Sequence, residues 1–392
     1  MKNLQAPGRT HQTGTPLRIA FVFGTRPEAV KMAVPILRAK YDGRFQPIVI
    51  STGQHREMMQ PILNFFGIVP DVDLQLMKPG QSLTEFVASA MIRLREAWHV
   101  HRPDIVCIQG DTATCAAAAI AAFFEKIPLA HIEAGLRTHD LMSPFPEEYN
   151  RKTVAMTAAW NFAPTKQAEL NLLNEGIGAE KIIVTGNTGI DALFSVRERL
   201  TQDPASEIRF HEKYPAVSKA LREKRKIVLV TTHRRESFGE PLRETLRSLL
   251  TLSKRPDVKI FLPVHRNPIV LQAVDEVLGS DSNIELLEPL DYVPFVWMMN
   301  QATILLTDSG GVQEEAPSLG KPVLVLRDKT ERQEAVDAGT ALLVGTNSNM
   351  ILKHASHLLD NPQALAEMAA KKNPFGDGKA TGRILDSLAG NV

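Results

Sequence analysis

Leu17-Arg18-Ile19-Ala20-Phe21-Val22-Phe23-Gly24-Thr25-Arg26-Pro27-Glu28-Ala29-Val30-Lys31 runs from a continuous apolar stretch through a polar turn into a helix-like one. A continuous rather than alternating apolar run marks a strand covered on both faces, which belongs in a parallel sheet. Pro27 stands where a first helical turn tolerates it, since its missing N–H has no intrahelical partner there. Such a strand-to-helix turn offers free backbone N–H groups and the positive end of a helix dipole, which together attract phosphate. A second turn of this kind, Asp308-Ser309-Gly310-Gly311-Val312-Gln313-Glu314-Glu315, lies in the other half of the chain. One in each half predicts a phosphorylated ligand held between two domains.

Outward from Gly24, strand-like and helix-like segments alternate. In the first half, strands are read at Leu17–Phe23, Gln46–Ser51, Asp104–Gln109, Pro128–Glu133, Asn161–Ala163 and Lys181–Thr185. Helices are read at Pro27–Tyr41, Arg56–Phe66, Leu83–His101, from Thr112 onward, and at Glu147–Ala159. The pattern blurs from Leu200 to Arg225, a charged and weakly periodic stretch. It restarts with strands at Lys226–Thr232, Val258–Val264, Asn283–Leu287, Thr303–Thr307, Pro322–Leu326 and Leu342–Val344. This alternation predicts an α/β chain of two doubly wound, Rossmann-like domains with an interdomain cleft. We place the first domain at 17–195 and the second at 196–375. Polar clusters at the C-terminal ends of the strands are where ligands bind in such sheets.

The chain has 392 residues, 44% hydrophobic and 23% charged, with a formal net charge of +1, so two separate cores are affordable and no general basic face is indicated. Nucleic acid and membrane surfaces are therefore not expected partners. Cys107 and Cys115 sit in apolar or Ala-rich surroundings and read as reduced core residues, as in a cytoplasmic protein. The apolar stretch Ala116–Phe124 is too short to cross a bilayer. Residues 1–16 are polar, lack the apolar core of a signal peptide, and read as a flexible extension.

Several clusters carry chemistry. Arg26 and Lys31 lie about one helical turn apart, where cations oppose the helix dipole, and their placement points to an anion. Gly110-Asp111-Thr112 leaves one strand, and Asp111 reads either as a helix cap or as a working carboxylate. His131-Ile132-Glu133-Ala134-Gly135-Leu136-Arg137 leaves the next strand, with Glu133 either paired to Arg137 or facing the ligand. If those two strands are neighbours, Asp111 and Glu133 meet at one sheet edge. Pro144-Phe145-Pro146-Glu147-Glu148-Tyr149-Asn150-Arg151 adds two carboxylates at a helix start, of which one has a structural part to play. Asp111, Glu133 and Glu147 together permit acid/base work.

In the second half, Thr231-Thr232-His233-Arg234-Arg235-Glu236 places a histidine beside two arginines, which lower its pKa unless an anion sits there; with a diphosphate bound, the cationic form can donate to the leaving group. Pro263-Val264-His265-Arg266-Asn267-Pro268 is a similar strand-end turn. Ser309, Gly310 and Gly311 permit close backbone approach to phosphate, Glu315 can accept from ribose hydroxyls, and Arg332 reaches the same region. Phe295, in Asp291-Tyr292-Val293-Pro294-Phe295, reads either as a base contact or as core. No Gly-x-Gly-x-x-Gly follows a strand, no Walker loop is present and no Cys/His metal spacing occurs, so neither a cofactor nor a metal is expected.

Taken in order, Gly24–Lys31, Gly110–Thr112, His131–Arg137, Pro144–Arg151, Thr232–Glu236, Pro263–Pro268, Asp308–Pro317 and Thr330–Glu334 resemble the motifs of the non-hydrolysing UDP-N-acetylglucosamine 2-epimerases. The resemblance covers nearly the whole chain from Leu17. It implies a glycosyltransferase-B-like fold, a homodimer, and a last helix, 376–392, that packs back on the N-terminal domain. It implies interconversion of UDP-GlcNAc and UDP-ManNAc for surface polysaccharide synthesis. Arg26, Lys31, Phe295, Ser309, Gly310, Gly311, Glu315 and Arg332 match the nucleotide-binding positions, and Asp111, Glu133, Glu147 and His233 the catalytic ones. Gln54, His55, Gln81, Arg235 and His265 match an allosteric UDP-GlcNAc site of some members, although Gly80 stands where those members carry Arg. Leu290 also departs from the Gln of some relatives.

The C2 hydrogen of this sugar is not adjacent to a carbonyl, so elimination of UDP and re-addition to 2-acetamidoglucal is the expected route. A hydrolysing 2-epimerase, or a 2-epimerase of a modified UDP-GlcNAc, shares these motifs and stands as the alternative.

Overall fold

The structure, a computed structural model, describes residues 15–390 apart from 233, 235, 236 and 280–282. Most of the segment read as a flexible extension, and the candidate residues His233 and Arg235, lie outside the described residues. The chain divides into two compact units: one runs to Ala192 and resumes at Phe375, the other is Leu193–Pro374.

The first unit alternates β1 (Leu17–Phe23), α1 (Arg26–Tyr41), β2 (Phe45–Ser51), α2 (Arg56–Phe66), β3 (Val72–Asp73), α3 (Leu83–His101), β4 (Ile105–Gln109), α4 (Ala113–Phe124), β5 (Leu129–Ile132), α5 (Glu147–Thr157), β6 (Trp160–Ala163), α6 (Lys166–Asn174) and β7 (Ile182–Val184). Its seven strands form one parallel sheet in the order β3-β2-β1-β4-β5-β6-β7. Every residue of β4 is buried, which is why its sequence is continuously apolar until Gln109. The alanines of α4 are all buried, and their small side chains let the helix lie close to the sheet and to its neighbours α3 and α5. β3, only two residues long and paired to β2, gives no periodicity to read.

After α7 (Thr188–Gln202) come α8 (Pro204–Lys213) and α9 (Pro215–Arg222), then β8 (Lys226–Thr231), α10 (Glu240–Leu252), β9 (Val258–Pro263), α11 (Pro268–Leu278), β10 (Ile284–Leu287), α12 (Tyr292–Gln301), β11 (Ile304–Thr307), α13 (Gly310–Glu315), β12 (Val323–Val325), α14 (Gln333–Asp337), β13 (Ala341–Leu343), α15 (Ser348–Asp360) and α16 (Pro362–Ala369). The second sheet is also parallel, in the order β10-β9-β8-β11-β12-β13. Its core joins Val228, Val230, Ile260, Leu262, Leu306 and Leu324 to the inner faces of α10, α11 and α15. The stretch 200–225, read as a break in the pattern, is helical. α8 buries no residue of its own, and α9, which buries Val217, Ser218 and Ala220, is only eight residues long, too short for its apolar stripe to repeat.

Beyond Pro374 the chain rejoins the first unit. The carbonyl of Phe375 accepts the Asn187 N–H at 2.7 Å. α17 (Ala380–Gly390) is capped by Asp191, which accepts from the backbone of Ala380 at 3.2 Å and Thr381 at 2.8 Å. Ile384, Leu385 and Leu388 seal its inner face, and it packs against α1.

In each sheet the connections leave in opposite directions at one place. β1 leads to β2 on one side while its other neighbour β4 leads to β5; β8 and β11 repeat this in the second unit. Such a reversal opens a crevice beyond the C-terminal strand ends, where α/β sheets bind ligands. The turns 24–25 and 110–112 flank the first reversal, and Thr232, at the end of β8, and 308–309 the second.

Candidate active site

The first turn is organised by Glu28. Its Oε2 accepts the backbone N–H of Gly24 at 3.0 Å and of Thr25 at 2.7 Å, closing the start of α1. Its Oε1 accepts the Thr112 hydroxyl at 2.7 Å and the Cys115 thiol at 3.2 Å. Gly24 has to be glycine, because a Cβ there would press on the hydroxyls of Thr52 and Thr114. Arg26, half-buried, follows directly. Lys31, on the same helix, places its ammonium on Oε2 of Glu133, which Asn187 Nδ2 also reaches at 3.0 Å.

β4 and β5 are parallel neighbours with Gln109 opposite Ile132, so Asp111 and Glu133 emerge side by side from the sheet edge. Gly110, at φ 81°, turns the chain sharply there. The wholly buried His131 ring bonds through Nε2 to the Gly110 carbonyl at 2.8 Å, so that nitrogen carries the proton. Burial above all lowers the His131 pKa to about 4, which keeps the ring neutral. Glu133 itself has φ 67°, an unusual conformation for a residue with a side chain. It does not pair with Arg137, whose guanidinium turns away to Glu175 at 2.7 Å.

Glu147 and Glu148 open α5 and part company. Glu148 is fully buried: it accepts the N–H groups of Thr138 and His139, each at 3.1 Å, and pairs with Arg151 at 3.1 Å. Arg151 in turn holds Asp111 at 2.7 Å, and Asn150 Nδ2 holds the Asp111 carbonyl at 2.8 Å. Glu147 Oε2 is shielded from solvent and finds no hydrogen-bond partner among the described residues. Glu148 is thus the structural carboxylate of the pair, and Glu147 the one with capacity to spare.

In the second unit the hydroxyls of Thr231 and Thr307 meet at 2.6 Å across the ends of β8 and β11. Asp308 Oδ2 accepts the Arg234 N–H at 2.9 Å. Ser309 holds the N-cap position of α13, and Thr307 Oγ1 accepts the Ser309 N–H at 2.9 Å. The Arg332 guanidinium lies over Gly310, where a Cβ would stand 2.8 Å from its Cζ, and bonds Glu314 at 2.9 Å. Among the described residues nothing stands within 4 Å of where a Cβ on Gly311 would lie. Thr330 braces this loop, its hydroxyl donating to Gln313 at 2.6 Å and accepting the Arg332 N–H at 3.1 Å. Burial pushes the neighbouring Glu331 carboxyl up, but hydrogen bonds from Arg327 and the charges of Arg327 and Arg234 outweigh it, leaving about 2. The buried Tyr292 hydroxyl is pushed well up, by burial first and then by the Glu315 carboxylate. Phe295 is half-buried on α12.

Of the positions matched to an allosteric site, Gln54 and His55 share the turn after β2. Gln54 Oε1 accepts the Thr114 hydroxyl at 3.2 Å, and His55 has its pKa lowered by partial burial and then by Arg26. Gln81 accepts the Lys78 N–H at 3.1 Å, and His265 Nδ1 the Asn267 N–H at 3.2 Å. Among the described residues no cluster of His, Cys, Asp and Glu could hold a metal ion, and no helix is long and apolar enough to cross a membrane.

Of the residues that orient the site, the sequence reading gives no role to Glu28, Arg151 or Asn187, and it leaves open which of Glu147 and Glu148 is structural. Only Glu28 left a signal, the Thr-x-x-Glu spacing of a capping box from Thr25. The others act on partners distant in the chain or share a motif whose members look alike.

The family model described as UDP-N-acetylglucosamine 2-epimerase matches residues 38–389. The UDP-N-acetylglucosamine 2-epimerase of Salmonella typhimurium is 47% identical over 373 residues, covering 95% of this chain and 98% of its own. That of Escherichia coli strain K12 is 45% identical, covering 96% and 99%. The crystal structure of UDP-GlcNAc 2-epimerase from Neisseria meningitidis bound to UDP-GlcNAc superposes with a TM-score of 0.87 at 44% identity, covering 95% of this chain and 99% of that one. The enzyme from Methanocaldococcus jannaschii, solved with UDP-GlcNAc and UDP, gives 0.77 at 31% identity, covering 95% and 99%.

Proposed function

This chain belongs to the UDP-N-acetylglucosamine 2-epimerase family, and from that premise we propose how it inverts C2 of UDP-N-acetylglucosamine to give UDP-N-acetylmannosamine. The C1–O bond to UDP breaks with its electron pair leaving on the diphosphate. The cation developing at C1 acidifies the C2 hydrogen, a carboxylate removes it, and the C1–C2 double bond of 2-acetamidoglucal forms. Protonation of C2 from the other face and return of the UDP oxygen to C1 complete the inversion. Atoms balance without a redox cofactor, and UDP must stay bound throughout.

The observation that carries this reading is the trio at the strand ends of the first unit. Asp111 is held by Arg151, Glu133 by Lys31 and Asn187, and Glu147 keeps one sheltered oxygen without a partner among the described residues. Differently held carboxylates are what removal and delivery of a proton on two faces of a sugar require. We assign Asp111, Glu133, Glu147 and His233 to catalysis, with His233 donating to the leaving diphosphate. In the second unit we assign the Ser309–Gly311 backbone and Arg332 to the diphosphate, Glu315 to the ribose and Phe295 to the base. Arg26 and Lys31 supply positive charge from the first unit.

Homodimerisation is supported by Ile92 on α3, Phe123 and Phe124 on α4 and Met156 on α5, apolar side chains that are each at least 59% exposed on successive, mutually packed helices. Supply of a precursor for surface polysaccharide is the role that fits the product. Regulation through Gln54, His55, Gln81, Arg235 and His265 would show as a sigmoidal dependence of rate on UDP-GlcNAc that His55→Ala abolishes.

Proton NMR of UDP-GlcNAc with the protein in D₂O tests the reading. UDP-ManNAc carrying deuterium at C2 is the expected product. Free ManNAc with UDP would identify the hydrolysing alternative, and an inert UDP-GlcNAc would point to a modified UDP-sugar.

A further inference from the structure

Two helices of the first unit begin with the same local motif and use it differently. At α3, Glu85 accepts the Ser82 N–H and hydroxyl, both at 2.8 Å through Oε2, in an exposed position. That is all a capping box needs. At α1, Glu28 does the same for Gly24 and Thr25 through one oxygen, yet it is only 1% exposed. Its second oxygen crosses to Thr112 and Cys115, 84 and 87 positions away. Burying a carboxylate is costly even when donors surround it, and a helix cap alone does not call for it.

We propose that Glu28 is a positioning residue for the reaction: its carboxylate locks the turn that carries Arg26 to the turn that carries Asp111. The inference rests on the assignment of those two residues given above. Arg26 directly follows Thr25, whose N–H Glu28 accepts. Asp111 directly precedes Thr112, whose hydroxyl Glu28 accepts while the same oxygen caps α4 by accepting the Cys115 N–H at 3.2 Å. The Thr112 side chain therefore has one rotamer that serves both partners, and the peptide at Asp111 is fixed with it. The Thr52–Thr114 hydroxyl contact at 2.9 Å, pressed against Gly24, stiffens the same junction from the side of β2. A carboxylate that must approach one C–H bond within a few tenths of an ångström gains from such a lock, and small misplacements are felt mainly in turnover.

Thr112→Val removes the hydroxyl that ties Glu28 to the Asp111 turn and leaves Glu28 capping α1 and bonded to the Cys115 thiol; Thr112→Ser keeps the hydroxyl. Both are compared with the wild type and with Glu28→Gln for kcat and KM toward UDP-GlcNAc, UDP affinity by calorimetry, and circular dichroism. We expect kcat of Thr112→Val to fall about tenfold or more with UDP affinity within about twofold, and Thr112→Ser to restore it to within about threefold. Folded Thr112→Val at wild-type kcat, or a loss that Thr112→Ser does not repair, overturns the proposal while the wild-type rate upholds the functional reading. A wild type that turns over no UDP-GlcNAc overturns the functional reading, and the proposal with it. Glu28→Gln that is folded and fully active also overturns the proposal.

Discussion

Lys31 and Glu133 stand 102 positions apart in the chain, and the lysine ammonium bonds the same glutamate oxygen that Asn187 reaches at 3.0 Å. Both side chains are largely out of water, at 14% and 9% exposure. Removing one partner of such a pair takes an opposite charge away from a group largely out of water. Lys31→Met should therefore cost on the order of 3 kcal/mol of stability as well as activity. Lys31→Met combined with Glu133→Leu should recover most of the stability and none of the activity. Urea unfolding beside steady-state rates checks this; a double variant as unstable as the single one would contradict it.

Glu147 and Glu148 are neighbours with opposite expectations. Glu147→Gln should lower kcat by about 10²–10⁴-fold with little change in unfolding midpoint. Glu148→Gln leaves the Thr138 and His139 N–H groups and Arg151 short of an acceptor, so it should lose about 1–3 kcal/mol of stability. Thermal denaturation and initial rates on the two variants separate the roles, and equal behaviour would count against the assignment.

His131 supplies a pH signature. Its folded pKa of about 4 lies below the ordinary 6.5, so on acidification the unfolded chain takes up the proton first. The stability from keeping the ring neutral is complete above pH 6.5 and is lost as pH falls toward 4. The whole step is worth roughly 3 kcal/mol for a group this buried. His131→Gln, which can still donate to the Gly110 carbonyl, should flatten the stability curve between pH 6.5 and 4. Parallel curves for variant and wild type in urea titrations at pH 7, 6 and 5 would refute it.

Gly310 and Gly311 differ in what stands beside them. Gly310→Ala sets a methyl against the Arg332 guanidinium and should displace it, weakening UDP binding about tenfold or more. Gly311→Ala meets nothing among the described residues and should leave stability within about 0.5 kcal/mol. Any loss of UDP affinity in Gly311→Ala then reports the nucleotide itself. Calorimetric titration with UDP measures both, and an unchanged affinity in each would remove this loop from the binding site.

Much of the architecture is legible before any coordinates. β1, α2 and α3 occupy the ranges their apolar patterns predict, because each buries a contiguous stripe or two faces. The turns 24–31 and 308–315 stand out because polar residues and glycines interrupt those patterns at strand ends. Among the elements that fail to register are β3 with two residues and α8 with none of its own buried.

The sequence by itself determined the two α/β units, the strand-end location of the polar clusters and, through eight motifs in order, the family. These follow from burial and spacing along the chain, which are local properties. The tertiary structure alone decided which charged residues meet. Strand order put Asp111 beside Glu133, sent Lys31 to Glu133 and Arg137 to Glu175, gave Glu148 rather than Glu147 to the scaffold, and joined Glu28 to Thr112. Electrostatic and hydrogen-bond partners act over a few ångströms in space, and the crossovers of a doubly wound sheet bring together turns that the chain keeps tens of residues apart.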